Sequence, residues 1–312
     1  MKAGIGIDMG GTRIKIGLVD DGEIFASTLI QASAHVDLEE RLMEIGNEVD
    51  RLLNENRCEP LGIGLAFPGI VDSVKSKILS KYVKYPDAQR IDLSHWAHTR
   101  WEVPLVLEND ARAALVGEWQ YGAGKGCDNL VLITLGTGVG TAALINGKLL
   151  HGKHYLAGSL GGHMSINLHG DVCNCGNLGC VESEASTWAL QKLVTRNPEF
   201  PSSSLSKESE INFSVVFNHA REGDKLAIKI QQNSLKAWSL AIINLIHAYD
   251  PERVVIGGGI MKSKELIIPY VYEMIKKDTW INDHVIDLVA ARQVEYAGIL
   301  GMYHLISLAN RV

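Results

Sequence analysis

A pattern of strand, glycine-rich turn and returning strand occurs twice in the chain, and it constrains the fold more than any other feature. The first copy spans residues 3–19 and the second spans residues 129–145. The turn residues are Gly10, Gly11 and Thr12 in the first copy, and Gly136, Thr137 and Gly138 in the second. Such a turn presents backbone N–H groups and a hydroxyl to phosphate oxygens, although Gly-Gly is also an ordinary hairpin turn. The duplication favours two facing hairpins that clamp a polyphosphate, and no Walker A sequence follows either turn.

Carboxylates stand at the ends of two predicted strands. Asp8 directly precedes the first turn, where it would hold the hydrated Mg²⁺ that accompanies a nucleotide. Asn109 and Asp110 follow the apolar run 103–108 and begin a helix, for which helix capping is a sufficient explanation. Open α/β sheets nevertheless bind ligands at the carboxyl ends of their strands. Asp110 at such a place would act as a general base on a hydroxyl.

Glycines also follow two further buried strands. Gly69 lies in a turn after the run 61–67, and a plain turn is the favoured interpretation from the residues alone. After the strand 253–256 come three glycines, Gly257, Gly258 and Gly259. They would let a flat ring approach the backbone closely, or they form a flexible connection between a strand and a helix.

Three of the five cysteines fall within eight residues, in a Cys-x-Cys-Gly-x-x-Gly-Cys run that follows a histidine. The four side chains are His163, Cys173, Cys175 and Cys180. One imidazole and three thiolates form a tetrahedral ligand set that suits zinc. The alternative is a disulfide with a spare thiol, or buried reduced cysteines. Because four protein ligands leave no open coordination position, the spacing predicts a structural zinc.

Composition limits the class of protein. A chain of 312 residues with 46% hydrophobic and 21% charged residues predicts two soluble domains. A net charge of −6 argues against a nucleic-acid binder. The sequence has no apolar run near the roughly 18 residues of a membrane span and no signal-peptide layout at its start. A thiolate metal site together with the lone Cys58 and Cys127 predicts a reducing compartment, the cytoplasm.

Periodicity and turn signals supply the remaining elements. Helices are predicted at 37–56, 182–196, 224–249, 265–277 and 298–311, and strands at 23–30 and 285–290. Asp37 with Glu40 is interpreted as a capping start. Residues 73–102 are interpreted as irregular and residues 197–212 as a surface loop. This order predicts an α/β protein of two lobes with a related core in each, and an active site in the cleft between them.

Taken together, these motifs resemble those of the ROK family (repressors, open reading frames, sugar kinases). The resemblance runs over Asp8-x-Gly-Gly-Thr, Leu135-Gly-Thr-Gly-Val-Gly, the three glycines, Glu108-Asn-Asp-Ala, and the His/Cys run that ends at Glu182. It implies the actin-like, hexokinase-like pair of ribonuclease-H-type domains. The lobes would comprise 1–119 with 298–312, and 120–297 with a zinc loop at 163–182.

The resemblance also implies an activity, namely transfer of the ATP γ-phosphoryl to a sugar hydroxyl, usually O6 of a hexose. Asp110 would be the base, both glycine turns and Asp8 would hold ATP and Mg²⁺, and the three glycines would hold the adenosine. Sugar contacts would come from Gly69, Asn109, Asp110, Ser159, His163 and Glu182. The expected cofactors are ATP, Mg²⁺ and a structural Zn²⁺. The expected partners are a small-molecule sugar and ATP, with neither nucleic acid nor membrane, in a homodimer or homotetramer.

The sequence departs from the family pattern in its sugar half. Ser159 stands where a Glu usually occurs, the usual Asn-Leu pair is not evident in residues 82–93, and Arg13 replaces a common Lys. An amino sugar, an N-acetylated sugar, a β-glucoside or a less common aldose is therefore an alternative to a plain hexose. A non-catalytic sugar or nucleotide sensor is the other alternative. A repressor is disfavoured, because only seven residues precede Asp8 and leave no room for a helix-turn-helix.

Overall fold

The computed structural model describes residues 1–32, 36–82, 84–280 and 286–310. These residues form two compact units. The first unit comprises Met1–Gly126, His151–Ala157 and Arg292–Val312, and the second comprises Cys127–Leu150 and Gly158–Ala291. Within the described part of the chain, every helix is too short or too polar to cross a bilayer.

The first unit is built on a five-stranded mixed sheet. Its strands are β1 (Lys2–Met9), β2 (Arg13–Asp20), β3 (Glu23–Gln31), β4 (Glu59–Phe67) and β7 (Leu105–Asn109). They lie in the order β3-β2-β1-β4-β7, with β1 antiparallel to β2 and parallel to β4. A small ribbon is formed by β5 (Val71–Asp72) and β6 (Lys77–Ile78). The helices are α1 (Leu38–Asn56), α2 (Leu93–Trp101), α3 (Asp110–Tyr121) and α9 (Ala297–Ala309).

The second unit repeats this sheet plan. Its strands are β8 (Leu130–Leu135), β9 (Val139–Ile145), β10 (Lys148–Leu149), β11 (Arg253–Gly257) and β12 (Asp287–Ala290). They lie in the order β10-β9-β8-β11-β12, with an antiparallel hairpin on one side and parallel strands on the other. The helices are α4 (Val181–Ala185), α5 (Thr187–Thr195), α6 (Phe213–Arg221), α7 (Lys225–Tyr249) and α8 (Lys264–Asp278). The prediction of a related core in each half is therefore confirmed.

Two helices of the first unit pack backbone to backbone. A Cβ at Gly301 of α9 would lie 1.8 Å from the carbonyl oxygen of Ala113 in α3, and a Cβ at Gly117 would lie 2.0 Å from that of Ala297. Only glycine permits this separation. Since α3 begins at Asp110, the contact also fixes the helix that carries the candidate base.

Several predictions of local structure were wrong, because tertiary contacts decided the outcome. Residues 73–102 contain α2, which begins after Asp92, whose carboxylate accepts a hydrogen bond from the His95 amide. Asp37 makes no side-chain cap at α1, where the Asp87 carboxylate accepts from the first two helical amides instead.

The segment predicted as one helix at 182–196 is two, α4 and α5, which meet at Ser186. Residues 197–212 contain two 3₁₀ turns rather than only loop, and α6 was not predicted. The predicted strand start at Val285 and the predicted helix end at Arg311 lie outside the described residues.

We expect Gly301→Ala to destabilise the first unit, although alanine favours a helix by about 1 kcal/mol over glycine. The new methyl group meets backbone that has no room to move, and overpacking of this kind costs about 1–3 kcal/mol. Because the contact is with backbone, the cost lies near the upper end of this range, and after the helix-propensity gain denaturant unfolding should show a net loss of about 2 kcal/mol. Leu308→Ala, at an exposed position of the same helix, is the control and should change stability by less than about 0.5 kcal/mol. Equal stability of Gly301→Ala and the parent would contradict this packing.

Candidate active site

Three neighbouring parallel strands bring the predicted residues of the first unit to one edge of the sheet. Asp8 of β1 is in register with Ala66 of β4, and Phe67 of β4 is in register with Asn109 of β7. Asp8, the turn at Gly69, and Asp110 thus lie at the carboxyl ends of three consecutive strands of the sheet. This is the edge where open α/β sheets bind ligands.

Asp110 has one engaged and one open carboxylate oxygen. Its Oδ1 accepts hydrogen bonds from the Ala111 amide at 2.8 Å and from Asn109 Nδ2 at 2.9 Å. Within the described residues, no other residue donates a hydrogen bond to Oδ2, and the Asp110 amide itself also hydrogen-bonds the carboxylate. Burial, followed by the negative charge of Asp8, raises the pKa of Asp110 to about 7, against the lowering effect of these hydrogen bonds. A carboxylate with this pKa and a free oxygen is suited to accept a proton near neutral pH.

Asp8 is held beside Asp110 by the same edge. Burial raises the pKa of the Asp8 carboxyl, while the charge of Lys15 lowers it. Lys15 Nζ donates to the carbonyl oxygen of Glu295 at 2.6 Å. A Cβ at Gly298 would lie 3.0 Å from Asp8 Cγ, so the absence of a side chain there leaves the carboxylate its place. Two carboxylates at one edge form a site that suits a hard cation or its water shell.

The first glycine turn keeps two donors free. The Gly10 amide donates to the carbonyl of Asp8 at 3.1 Å, and the carbonyl of Thr12 accepts from the Ala32 amide at 2.9 Å. In the part of the chain that the structure describes, neither the Gly11 amide nor the Thr12 amide has an acceptor. Free amides at an exposed turn are what a phosphate-binding tip requires.

Asn109 confirms the capping interpretation and also connects two predicted site residues. Its Oδ1 accepts from the Arg112 amide at 3.1 Å, which caps α3. Its Nδ2 donates to the carbonyl of Gly69 at 3.1 Å and to Asp110. The side chain therefore joins the turn after β4 to the carboxylate after β7.

A buried polar group behind Asp110 was not identified from the sequence. Glu108 is 2% exposed, and its Oε1 accepts from the Asn109 amide at 2.8 Å. Its Oε2 accepts from Ser73 Oγ at 2.9 Å and lies 2.7 Å from His151 Nε2. Arg112 is fully buried, with Nη1 3.6 Å from Glu108 Oε1. The available signal was a Glu at the end of an apolar strand, which cannot be buried without partners, with an Arg four residues later.

Arg112 also binds the segment His151–Ala157, which belongs to the first unit although it lies in the sequence between two parts of the second. Its Nη2 donates to the carbonyls of Tyr155 at 3.0 Å and Ala157 at 2.8 Å. The side chain of Tyr155 hydrogen-bonds to Asp72, which lowers the pKa of that carboxyl. The segment His151–Ala157 is thus attached directly behind the strand end that carries Asp110.

In the second unit, the predicted glycine turn is supported on both sides. The carbonyls of Gly136 and Thr137 accept from the amides of Thr187 at 3.0 Å and Trp188 at 3.2 Å, at the start of α5. Glu182 Oε2 accepts from the Val139 amide at 2.9 Å. A Cβ at Gly138 would lie 2.5 Å from that oxygen.

The role that the sequence suggested for Glu182 was a sugar contact. Here its Oε1 also accepts from Trp188 Nε1, at 3.1 Å. Both oxygens of this carboxylate are thus directed at the turn and the helix beside it.

The three glycines Gly257–Gly259 lie next to this turn. Gly257 of β11 is in register with Thr134 of β8. Gly258 has φ +92°, and a Cβ there would lie 2.2 Å from the carbonyl oxygen of Leu135, directly before the turn. A Cβ at Gly259 would meet no atom within 4 Å. The second unit therefore brings both of its predicted nucleotide motifs together.

The predicted metal ligands converge on one point. The ligand atoms of His163, Cys173, Cys175 and Cys180 all lie within 4.8 Å of one another. Cys175 Sγ lies 3.7 Å from Cys180 Sγ, and Cys173 Sγ lies 3.6 Å from His163 Nδ1. Zinc–ligand bonds of about 2.3 Å to sulfur and 2.05 Å to nitrogen would give edges of about 3.8 and 3.6 Å in a tetrahedron. The residues therefore fit a zinc ion, with His163 Nε2 left over for another contact.

The packed thiols ionise with difficulty in the absence of a cation. Burial and the neighbouring thiols Cys175 and Cys173 raise the pKa of the Cys180 thiol. A divalent ion between the sulfurs would remove this cost of ionisation. The loop is closed at Gly179, where φ is +61° and a Cβ would lie 1.7 Å from the carbonyl oxygen of Asn167.

Ser159 lies in the segment that leads to the metal ligand His163. It stands between Gly158, which has φ +77°, and the 3₁₀ turn Gly161–His163. The buried Thr141 hydroxyl donates to the carbonyl of Gly158 at 2.7 Å and accepts from the Gly161 amide at 2.8 Å. Thr141 thus holds the segment on both sides of Ser159.

Comparison with known proteins identifies the family. A sequence model described as "ROK family" matches residues 4–308. This chain belongs to the ROK family. It is 31% identical to a glucokinase of Thermotoga maritima over 306 residues, which cover 95% of each chain. It is 29% identical to a xylose repressor of Caldicellulosiruptor bescii, over 89% of this chain and 71% of the repressor.

A solved ROK structure agrees with this assignment. The structure of a ROK family glucokinase from Streptomyces griseus, in complex with glucose and AMPPNP, matches with a TM-score of 0.77 and 26% identity. The match covers 97% of this chain and 98% of that one. These comparisons confirm the resemblance to the ROK family that the sequence motifs indicated. They also confirm the predicted fold class, an actin-like α/β fold with two lobes.

We expect Glu108→Gln to destabilise the first unit strongly, because it removes the carboxylate charge beside the buried guanidinium of Arg112. Removing one partner of a buried ion pair costs about 3–5 kcal/mol. Glu55→Gln, which removes an exposed partner of Arg51, is the matched control and should cost less than about 1 kcal/mol. The measurement is denaturant unfolding at pH 7. Equal losses in the two variants would show that Glu108 does not have this role.

We expect the ROK protein to contain one tightly bound zinc per chain, and Cys175→Ser to release it. Elemental analysis of the dialysed protein measures the metal, and Cys58→Ser, which changes a cysteine outside the four-residue cluster, is the matched control that should retain it. Full metal content in Cys175→Ser would contradict a site built from all four side chains.

Proposed function

We propose that this ROK protein is an ATP-dependent sugar kinase that transfers the γ-phosphoryl of ATP to a hydroxyl of a hexose or hexose derivative, with O6 as the expected position. The observation that carries the proposal is the Asp110 carboxylate. It combines a pKa of about 7 with a free oxygen, at a strand edge shared with Asp8 and the first glycine turn. The glucokinase relatives support the same activity.

In this proposal the first unit supplies the base and part of the phosphate site. Asp110 Oδ2 accepts the proton of the sugar hydroxyl as its oxygen attacks the γ-phosphorus, and the bond from phosphorus to the β-phosphate oxygen breaks. Positioning and charge stabilisation dominate such a transfer. The free amides of Gly11 and Thr12 bind phosphate oxygens. Asp8 would hold Mg²⁺ through its bound water, and the ion would neutralise phosphate charge.

The second unit supplies the rest of the nucleotide site. Gly136, Thr137 and Gly138 face the phosphates, and the adenine lies along Gly257–Gly259, where open space beside Gly259 admits a flat ring. Asn109, Gly69, Ser159 and His163 are the proposed sugar contacts. Glu182 is a further one, because each oxygen of its carboxylate can accept a second hydrogen bond beside those from Val139 and Trp188. A zinc ion bound to the four ligands would stiffen the loop that carries His163 and direct the free Nε2 of this residue.

A non-catalytic sugar sensor is the second candidate, because Ser159 lacks the carboxylate that the family motif carries and because xylose repressors are among the relatives. A coupled assay of ADP release separates the two. It should be run with ATP and a panel of hexoses, amino sugars, N-acetylated sugars, β-glucosides and other aldoses. A kinase releases one ADP per sugar phosphate formed with at least one of them. Sugar binding in calorimetry without ADP release from any sugar would support the sensor.

We expect kcat/KM for the best sugar to rise with pH through a midpoint near 7. The raised pKa leaves Asp110 protonated, and unable to act as a base, below that pH. The rate should fall about tenfold per pH unit on the acid side. Asp110→Asn is the control. It should retain its fold and nucleotide binding and lose about 10²–10⁴-fold in kcat. Near-normal turnover of this variant would contradict the role of Asp110.

A further inference from the structure

A short aromatic cluster fixes the turn that follows the β5–β6 ribbon of the first unit. The ring centroids of Tyr82 and Tyr85 lie 5.6 and 6.3 Å from that of Phe67, the last residue of β4. Tyr85 is 3% exposed, and its amide donates to the carbonyl of Tyr82 at 3.1 Å. The turn is thus anchored at the same carboxyl edge of the sheet as the candidate site. Its position is set by buried rings, although Lys84 within it is only partly buried.

Lys84 reaches the first glycine turn from this anchor. Its ammonium group donates a hydrogen bond to the carbonyl oxygen of Gly11. In a trans peptide the C=O and the following N–H point in opposite directions. By holding the carbonyl of Gly11, Lys84 therefore fixes the Thr12 amide so that it points away from the lysine. That amide is one of the two donors without a described acceptor, so the lysine sets the direction in which the turn offers it.

The positive charge of Lys84 also affects phosphate binding at the carboxyl edge of the first sheet. Asp8 and Asp110 are two carboxylates that would repel a phosphate chain. The charge of Lys15 lowers the pKa of Asp8, but the Lys15 ammonium group donates to the carbonyl of Glu295. Lys84 adds a positive charge directly at the glycine turn. A cation there favours a polyanion and has no comparable effect on a neutral ligand.

We propose that Lys84 is a positioning residue for the phosphate chain of the nucleotide: it orients the Thr12 amide and offsets the carboxylate charge at the first glycine turn. This inference rests on the proposed function, since it takes the turn to be a phosphate site. It assigns a role to a residue in the segment where the sequence lacks the family's usual Asn-Leu pair. The recognised group is the polyphosphate and not the sugar or the adenine.

Calorimetric titration of the full chain tests this role with two ligands, AMPPNP and adenosine, in the presence of Mg²⁺. Lys84→Met should bind AMPPNP about tenfold more weakly, while its affinity for adenosine stays within about twofold, because Lys84 acts on the phosphate chain alone, through the Thr12 amide and through its charge. Lys84→Arg keeps a cationic donor and should recover AMPPNP affinity to within about threefold. Lys81→Met, at an exposed position of the same segment, is the control and should match the parent for both ligands.

The outcomes separate this inference from the proposed function. Unchanged AMPPNP affinity in Lys84→Met, or an equal loss for AMPPNP and adenosine together with a lower thermal midpoint, would overturn the inference by showing no role or a merely structural one. Neither result bears on sugar turnover. If the parent binds AMPPNP but phosphorylates no sugar, the proposed kinase activity fails while the comparison of Lys84 variants still stands. If the parent binds no AMPPNP, both fail.

Discussion

The arrangement of the first unit depends on two carboxylates that share one edge of a parallel sheet. The register of β1, β4 and β7 places Asp8 and Asp110 at the same edge of the sheet, with β4 between their strands, and the charge of Asp8 opposes ionisation of Asp110. Burial and this repulsion hold the pKa of Asp110 near neutrality. Such a position is costly for folding but useful for chemistry, because a base works best when its pKa lies near the working pH.

The two glycine turns are each supported by a charged side chain, and the charges are of opposite sign. At the first turn, the Lys84 ammonium holds a carbonyl; at the second, the Glu182 carboxylate holds the Val139 amide. A glycine turn has little stiffness of its own, because glycine gives up much conformational freedom when it is ordered. These side-chain contacts supply the rigidity that a preformed anion site needs. Behind Asp110, Glu108 and Arg112 perform a similar function through their buried ion pair and through hydrogen bonds to the neighbouring backbone.

Patterns that depend on near neighbours in the sequence were predictable. The apolar strands, the duplicated hairpins and the long helix α7 follow from composition and periodicity, and the metal ligands follow from the Cys-x-Cys-Gly-x-x-Gly-Cys spacing. Features created by distant contacts were not. Asp87 caps α1 from 49 residues away, and α2 has no apolar periodicity to reveal it. Lys84 and Glu108 contact the candidate site only because the fold brings distant parts of the chain together. No local signal in the sequence therefore distinguished them from ordinary charged residues.

The carboxyl titration of Asp110 is the most direct test of the central claim, that this sheet edge holds a base poised near neutral pH. Carbon-13 NMR of protein labelled at the aspartate carboxyls would follow each signal with pH, and the signal missing in Asp110→Asn identifies this residue. The account predicts a midpoint near 7 that falls towards the ordinary value when Asp8 is replaced by Asn. A midpoint near 4 in the parent protein, unmoved by the Asp8→Asn change, would contradict it.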